Sequence, residues 1–180
     1  IMGSYTDKPW LDSYKLGAFK LKKTLHYPEK PLFSILDEAA EQFPNKDVYH
    51  YCGKRMKFRE LKIQVEKLAS AFVHLGMKKG DTVIVYLPNC PQFIISDFAI
   101  LKTGAVLVPC SPLLKETKLK DIAEESKAGT IICLEKNCDM VKAIKESTKI
   151  KHIIVTSIQD YSSSESKDIN EIPGTYNFRK

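Results

Sequence analysis

Cysteines are few, and none are paired at redox or metal-binding spacing. The five (Cys52, Cys90, Cys110, Cys133 and Cys138) include no CxxC. Three lie in or beside strand-like apolar runs, so reduced packing residues are expected rather than disulfides or a zinc site. The four histidines (His26, His50, His74, His152) show neither HxxxH nor HxH spacing. No GxGxxG opens a helix and no Gly-x-Ser-x-Gly elbow occurs. Gly76 and Gly80 sit where a helix gives way to a strand, the reverse of a phosphate loop entering a helix. No apolar run approaches the ~18 residues of a membrane span. Lys8, Asp12 and Lys15 interrupt any signal-peptide core. A cytoplasmic protein with no membrane span is expected.

What is there is ordinary for a globular chain. At 180 residues with 43% hydrophobic content, the chain can build one domain with a core. The net charge of +6 comes from scattered lysines; pairs such as Lys22-Lys23 and Lys78-Lys79 are too short for a nucleic-acid patch. These lysines read as solvated surface, and no nucleic-acid partner is expected.

Residues 1–30 show little periodicity: Tyr5, Trp10, Tyr14, Phe19 and Tyr27 stand among lysines and prolines. An extended amino-terminal arm is expected there, with its rings as anchors and homodimerisation as a role. From Pro31 a helical pattern begins, with Leu32, Ile35, Leu36, Ala39, Ala40 and Phe43 on one face, Pro31 in the first turn and Pro44 ending the run. Residues 47–58 alternate around Cys52-Gly53-Lys54, which predicts a β-hairpin. His50 reads as a solvent-facing residue of its first strand.

Leu61, Val65, Leu68, Ala69, Phe72 and Leu75 then fall on one stripe of a helix closed by Gly76. Apolar strand-like runs follow at 82–87, 105–108, 130–134 and 152–155, each separated by one helical segment. The intervening helices carry Phe93, Ile94, Phe98 and Leu101 after Pro91, then Leu119, Ile122 and Ala123 up to Gly129, then Met140, Val141 and Ile144 after Asn137. Gly104 suits a left-handed helix end. The unbroken run of residues 105–108 predicts a strand covered on both faces, with Pro109 and Pro112 forcing a loop. From Asp160 the chain turns Ser-rich and polar, as expected of a flexible surface loop.

This alternation predicts an α/β fold. Its three layers hold a mainly parallel sheet of Rossmann-like βαβ units, preceded by a β-hairpin. The expected layout is an arm at 1–30, an α/β subdomain at 31–158, and a loop with the truncated start of a further segment at 159–180. In open parallel sheets, ligands bind beyond the carboxyl ends of the strands. Those ends fall at residues 88–91, 109–112 and 135–137. They offer prolines, thiols, amides, a hydroxyl and one acid, so no catalytic, cofactor-binding or metal-binding residue is assigned.

Four ordered motifs carry a resemblance: Met56-Lys57-Phe58-Arg59-Glu60-Leu61, Gly76-x-x-x-Gly80-Asp81-x-Val83, Leu87-Pro88-Asn89, and Leu101-Lys102-Thr103-Gly104-Ala105-Val106-Leu107-Val108-Pro109. Together they resemble the start of the adenylate-forming (AMP-binding) superfamily, over about residues 32–158. The leader from Pro9-Trp10-Leu11 to Pro31-Leu32 looks most like the amino-terminal arm of medium- or long-chain fatty-acyl-CoA synthetases. The resemblance implies an acid–thiol ligase: fatty acid, ATP and coenzyme A give acyl-CoA, AMP and pyrophosphate through an acyl-adenylate, with Mg2+. It also implies a phosphate loop, adenine and ribose motifs and a carboxy-terminal lysine, none of which occurs in this sequence. The chain is therefore expected to be an inactive amino-terminal fragment, with ATP, Mg2+ and coenzyme A serving only a longer enzyme. The alternative is a free-standing α/β binding or interaction module that keeps only the family scaffold.

Two departures from the family pattern stand out. Lys57 replaces the usual Thr or Ser ahead of a helix, so it cannot accept a bond from the helix's free N–H groups. Ser111-Pro112 replaces Asn-Pro, with a hydroxyl still able to cap the following turn.

Overall fold

The computed structural model describes Lys8, Trp10, Leu11, residues 24–161 and the backbone of Thr175–Asn177. Residues 1–31 and 32–180 form separate compact units. In the first, the Leu11 N–H donates to the Lys8 carbonyl at 2.9 Å and the Lys30 N–H to the Pro28 carbonyl at 2.9 Å. Most of the arm's aromatic residues, and the Ser-rich stretch after Tyr161, lie outside the described residues.

The second unit is organised by Thr82–Tyr86 (β3), a β-branched, apolar segment whose side chains alternate between two cores. It pairs in parallel with Val106–Cys110 (β4) on one side and Thr130–Leu134 (β5) on the other. His152–Thr156 (β6) and Thr175–Asn177 (β7) extend the sheet beyond β5, also in parallel, giving the order β4-β3-β5-β6-β7. One core holds Val83, Val85, Ile132, Leu134 and Ile154 against the helices Ser34–Gln42 (α1), Phe58–His74 (α2) and Pro91–Thr103 (α3). The other holds Ile84, Tyr86, Ile131, Cys133, Ile153 and Val155 against Glu116–Ser126 (α4) and Cys138–Lys145 (α5). Each fully buried Ile or Phe contributes roughly 1.5–3 kcal/mol from water exclusion, so the two faces carry the fold. The antiparallel hairpin Asp47–Tyr51 (β1) and Lys54–Lys57 (β2) precedes the sheet. Cys52 at φ 45° and Gly53 at φ 78° form its two-residue turn, both with the positive φ that suits the twist of hairpin strands.

The fold class is the expected one, and several local expectations are corrected. Among the described residues β4 is an edge strand, and its faces are not fully covered as expected: Val106 is 49% exposed and only Cys110 of the strand is buried. Pro109 lies inside it, tolerated because an edge strand needs no N–H on its outer side. The first helix begins at Ser34, so Pro31 precedes its first turn. Of the stripe assigned to that helix, Leu36 and Ala40 are buried while Leu32, Ile35 and Phe43 are exposed. α4 ends at Lys127 in the left-handed region (φ 53°), not at Gly129, whose N–H and carbonyl instead bond the starts of β3 and β6. β7 was not foreseen: a three-residue segment carries too short a pattern to read, and its pairing with β6 makes it a strand.

At α2, the Glu60 carboxylate accepts the Lys57 N–H at 2.9 Å, which is half of a reciprocal cap. The other half would need an acceptor, and an ammonium has none. Ser111 Oγ accepts the Leu113 N–H at 3.3 Å, as expected for a hydroxyl in place of an amide. Gly104 closes α3 at φ 77°. Its carbonyl accepts the Gly80 N–H at 3.0 Å, and a Cβ there would stand 3.1 Å from Lys79 Cγ. A partly buried ion network centred on Asp37 (Lys102 at 2.8 Å, Lys62 at 3.6 Å) joins α1, α2 and α3.

Candidate functional site

The strand order reverses at β3: the chain goes first to β4 on one side and then to β5 on the other. A crevice opens at the carboxyl end of such a reversal, because the connecting helices leave on opposite faces. Here it lies between residues 87–91, after β3, and the 3-10 turn Glu135–Asn137 with the start of α5, after β5. Asn89 and Glu135 are exposed, while Cys90 and Cys138 are buried at the first turns of α3 and α5. Pro91 occupies the first position of α3, as the sequence predicts.

A largely apolar cavity of about 290 Å³ adjoins this crevice, lined by Tyr49 and Tyr51 of the hairpin and by Asn89, Cys90, Phe93 and Ile94. Burial pushes the Tyr49 phenol well above its ordinary range, with Tyr161 adding to the shift, and burial raises Tyr51 as well. The Cys90 thiol is also raised by burial, which the N–H groups of Phe93 and Gln92 offset only in part. All three therefore stay protonated at neutral pH, and the cavity presents neutral, apolar walls. His50 lies at its rim, exposed as expected, 3.3 Å from Asp47. Across the crevice, Cys138 is pulled down by the Cys133 side chain and by Lys142, while the fully buried Cys133 is pushed up by the same hydrogen bond and by burial.

The most connected polar group at this end is one the sequence analysis missed. Gln92, Thr156 and Asp160 are all buried. Gln92 Nε2 donates to Thr156 Oγ1 at 3.1 Å and to the Ser157 carbonyl at 2.7 Å. Thr156 Oγ1 donates to Asp160 Oδ2 at 2.8 Å, and the same oxygen accepts the Ser157 N–H at 2.9 Å. The network ties the first turn of α3 to the end of β6 and sets the direction in which the chain leaves the sheet. Asp160 was expected to open an exposed polar loop. It is instead an interior residue, because the carboxylate replaces its water with a hydroxyl and an amide N–H. A glutamine after Pro91 and an acid four residues beyond a strand-ending threonine were the only signals, and neither marks burial in a linear pattern.

Nucleotide, metal and coenzyme A donors can be tested against this end. Among the described residues, no three His, Cys, Asp or Glu side chains converge as a metal site. The Asp160 carboxylate is committed internally, Glu135 is exposed, and the exposed Asp139 of the first turn of α5 pairs with Lys142 at 3.0 Å. The described residues thus do not fit a Mg2+–triphosphate by themselves, and no reaction step is derived through one. No helix among them is long and apolar enough to cross a membrane.

Comparison with known proteins places this fold in a family. A profile described as AMP-binding enzyme matches residues 36–176, most of the chain. The chain belongs to the AMP-binding enzyme family. It is similar to a long-chain-fatty-acid–CoA ligase of Bacillus subtilis (strain 168), with 33% identity over 156 residues; these are 87% of this chain and 27% of the relative. The ligase of Haemophilus influenzae is 26% identical over 87% of this chain and 28% of its own length. Among solved structures, a long-chain-fatty-acid-CoA ligase from Archaeoglobus fulgidus superposes with a TM-score of 0.68 at 26% identity, over 83% of this chain and 33% of that one. The coronafacic acid ligase of Pectobacterium brasiliense gives a TM-score of 0.72 at 24% identity, a likeness of fold. The chain spans little more than a quarter of the length of these two ligases.

Proposed function

We propose that the chain is the amino-terminal part of a fatty-acyl-CoA ligase of the long-chain type and is inactive alone. The observation that carries this reading is the 33% identity to a long-chain-fatty-acid–CoA ligase across 87% of the chain but 27% of that relative. The whole enzyme would join a fatty acid to ATP with Mg2+, releasing pyrophosphate, and then transfer the acyl group from AMP to the coenzyme A thiol. In this layout residues 1–30 are an arm, 31–158 the α/β subdomain, and 159–180 the lead into the next segment. The contribution of this portion is positional: β3, β5 and β6 form the floor, and Gln92 with Asp160 aims the chain that leaves β6. We further propose a cytoplasmic location and homodimerisation through the arm.

Incubating the 180-residue chain with ATP, Mg2+, coenzyme A and palmitate is expected to yield no acyl-CoA, whereas the chain extended to the length of its relatives yields acyl-CoA and AMP. Turnover by the 180-residue chain, or none with any fatty acid by the extended one, overturns the reading. For the arm, removal of residues 1–30 from the extended chain is expected to halve its mass in sedimentation; an unchanged mass rejects the dimer.

A further inference from the structure

Opposite the crevice, at the amino ends of β3, β5 and β6, lies a second cleft of about 460 Å³. Its rim carries three lysines from two loops: Lys127 after α4, and Lys149 and Lys151 ahead of β6. Five other lysines of this unit (Lys62, Lys102, Lys118, Lys120 and Lys142) pair with carboxylates within 4.0 Å. Lys127, Lys149 and Lys151 have no such partner among the described residues. The one acid lining the cleft, Asp81, already accepts the Lys78 N–H at 2.8 Å.

The lysine-bearing backbone is held in place. The Lys151 and His152 N–H groups both donate to the Gly129 carbonyl, at 2.8 and 3.2 Å, and the Gly129 N–H donates to the Thr82 carbonyl at 3.1 Å. Lys127, two residues before Gly129, sits at φ 53°, a conformation that a β-carbon disfavours and glycine would adopt without cost. Ser126, beside it, has a buried hydroxyl oxygen with no hydrogen-bond partner. The local field is positive: the His152 imidazole is pushed down by burial and then by Lys145 and Lys151. Uncompensated cations converging on a concave surface attract anions and strengthen one another's effect there.

We propose that this cleft binds a small phosphoanion of the diphosphate class, held by Lys127, Lys149 and Lys151. Ammonium groups bind phosphate as point charges, and several spread around a cleft suit an anion longer than one phosphate. The site is at the opposite end of the sheet from the crevice and does not rest on the ligase reading.

The test is calorimetric titration of the 180-residue chain with inorganic pyrophosphate at low ionic strength, with sodium chloride of matched ionic strength as the blank. Saturable one-to-one binding is expected, tighter than for orthophosphate and weakening as salt rises. The triple variant Lys127→Gln, Lys149→Gln, Lys151→Gln is expected to lose tenfold or more in affinity. The pair Lys118→Gln, Lys120→Gln, on the outer surface of α4, is expected to leave it unchanged. If the triple variant fails to fold by circular dichroism, the three single variants take its place, each expected to lower affinity at least twofold. Heat no greater than the chloride blank, orthophosphate binding as tightly, or equal losses in the α4 pair would each overturn the proposal.

Discussion

β4 and β5 are written in nearly the same alphabet, and the fold treats them differently. Both are five-residue runs dominated by Val, Leu and Ile, and both pair in parallel with β3. β5 is buried at every position, with β3 and β6 beside it and helices on both faces. β4 has β3 on one side and no strand on the other among the described residues, and its side chains are largely exposed or half-buried. An apolar run thus reports that a segment can be interior, and its neighbours in the sheet decide whether it is. The single mark of the edge in β4 was Pro109.

The comparison breaks most easily at Ile132, fully buried in β5. Ile132→Ala is expected to destabilise the chain by about 2–5 kcal/mol in urea unfolding, through lost burial and the cavity left behind. A loss under about 1 kcal/mol would mean that β5 is no more central than β4. Next comes Thr156, which pairs with Leu134 of β5 across the sheet and links Gln92 to Asp160. Thr156→Val keeps the shape and removes the hydroxyl, leaving two buried groups short of a partner. A loss of about 1–3 kcal/mol is expected.

Gly104→Ala tests the turn that delivers the chain to β4. The left-handed backbone costs a β-carbon about 1–2 kcal/mol, and the contact with Lys79 Cγ acts in the same direction. The smallest effect is expected at Val106, half-exposed in β4. Val106→Thr should shift stability by no more than about 0.5 kcal/mol, and a loss near that of Ile132→Ala would erase the distinction. A chemical probe gives an independent check. Cys52 is exposed and the other four cysteines are buried, so a thiol reagent should modify Cys52 quickly and the rest only as the chain unfolds.

Much of the fold was legible because its signals are local. The helix stripe from Leu61 to Phe72, the glycine-containing hairpin turn around Cys52-Gly53-Lys54, the proline opening α3 and the glycine closing it all act within a few residues. The candidate site was less legible. Its switch point follows from strand order, which no single segment encodes, and the apolar cavity joins a hairpin to a helix start some forty residues away in sequence. Gln92 and Asp160 read as ordinary polar residues because their burial depends on β6 arriving between them. Gly129 was misassigned as a helix terminator because a glycine near a helix end satisfies that rule locally, while its bonds go to β3 and β6.

By itself the sequence determined the class of fold, the number of helices between strands and the family resemblance that the profile match then established. Hydrophobic period and turn chemistry are properties of neighbouring residues, so they survive in a linear reading. Tertiary structure alone decided that β4 is an edge, that residues 175–177 join the sheet, that Asp160 is interior, and that three lysines surround one cleft. Each depends on which distant segments exclude water from one another or leave a charge unpaired, and chain contacts set both.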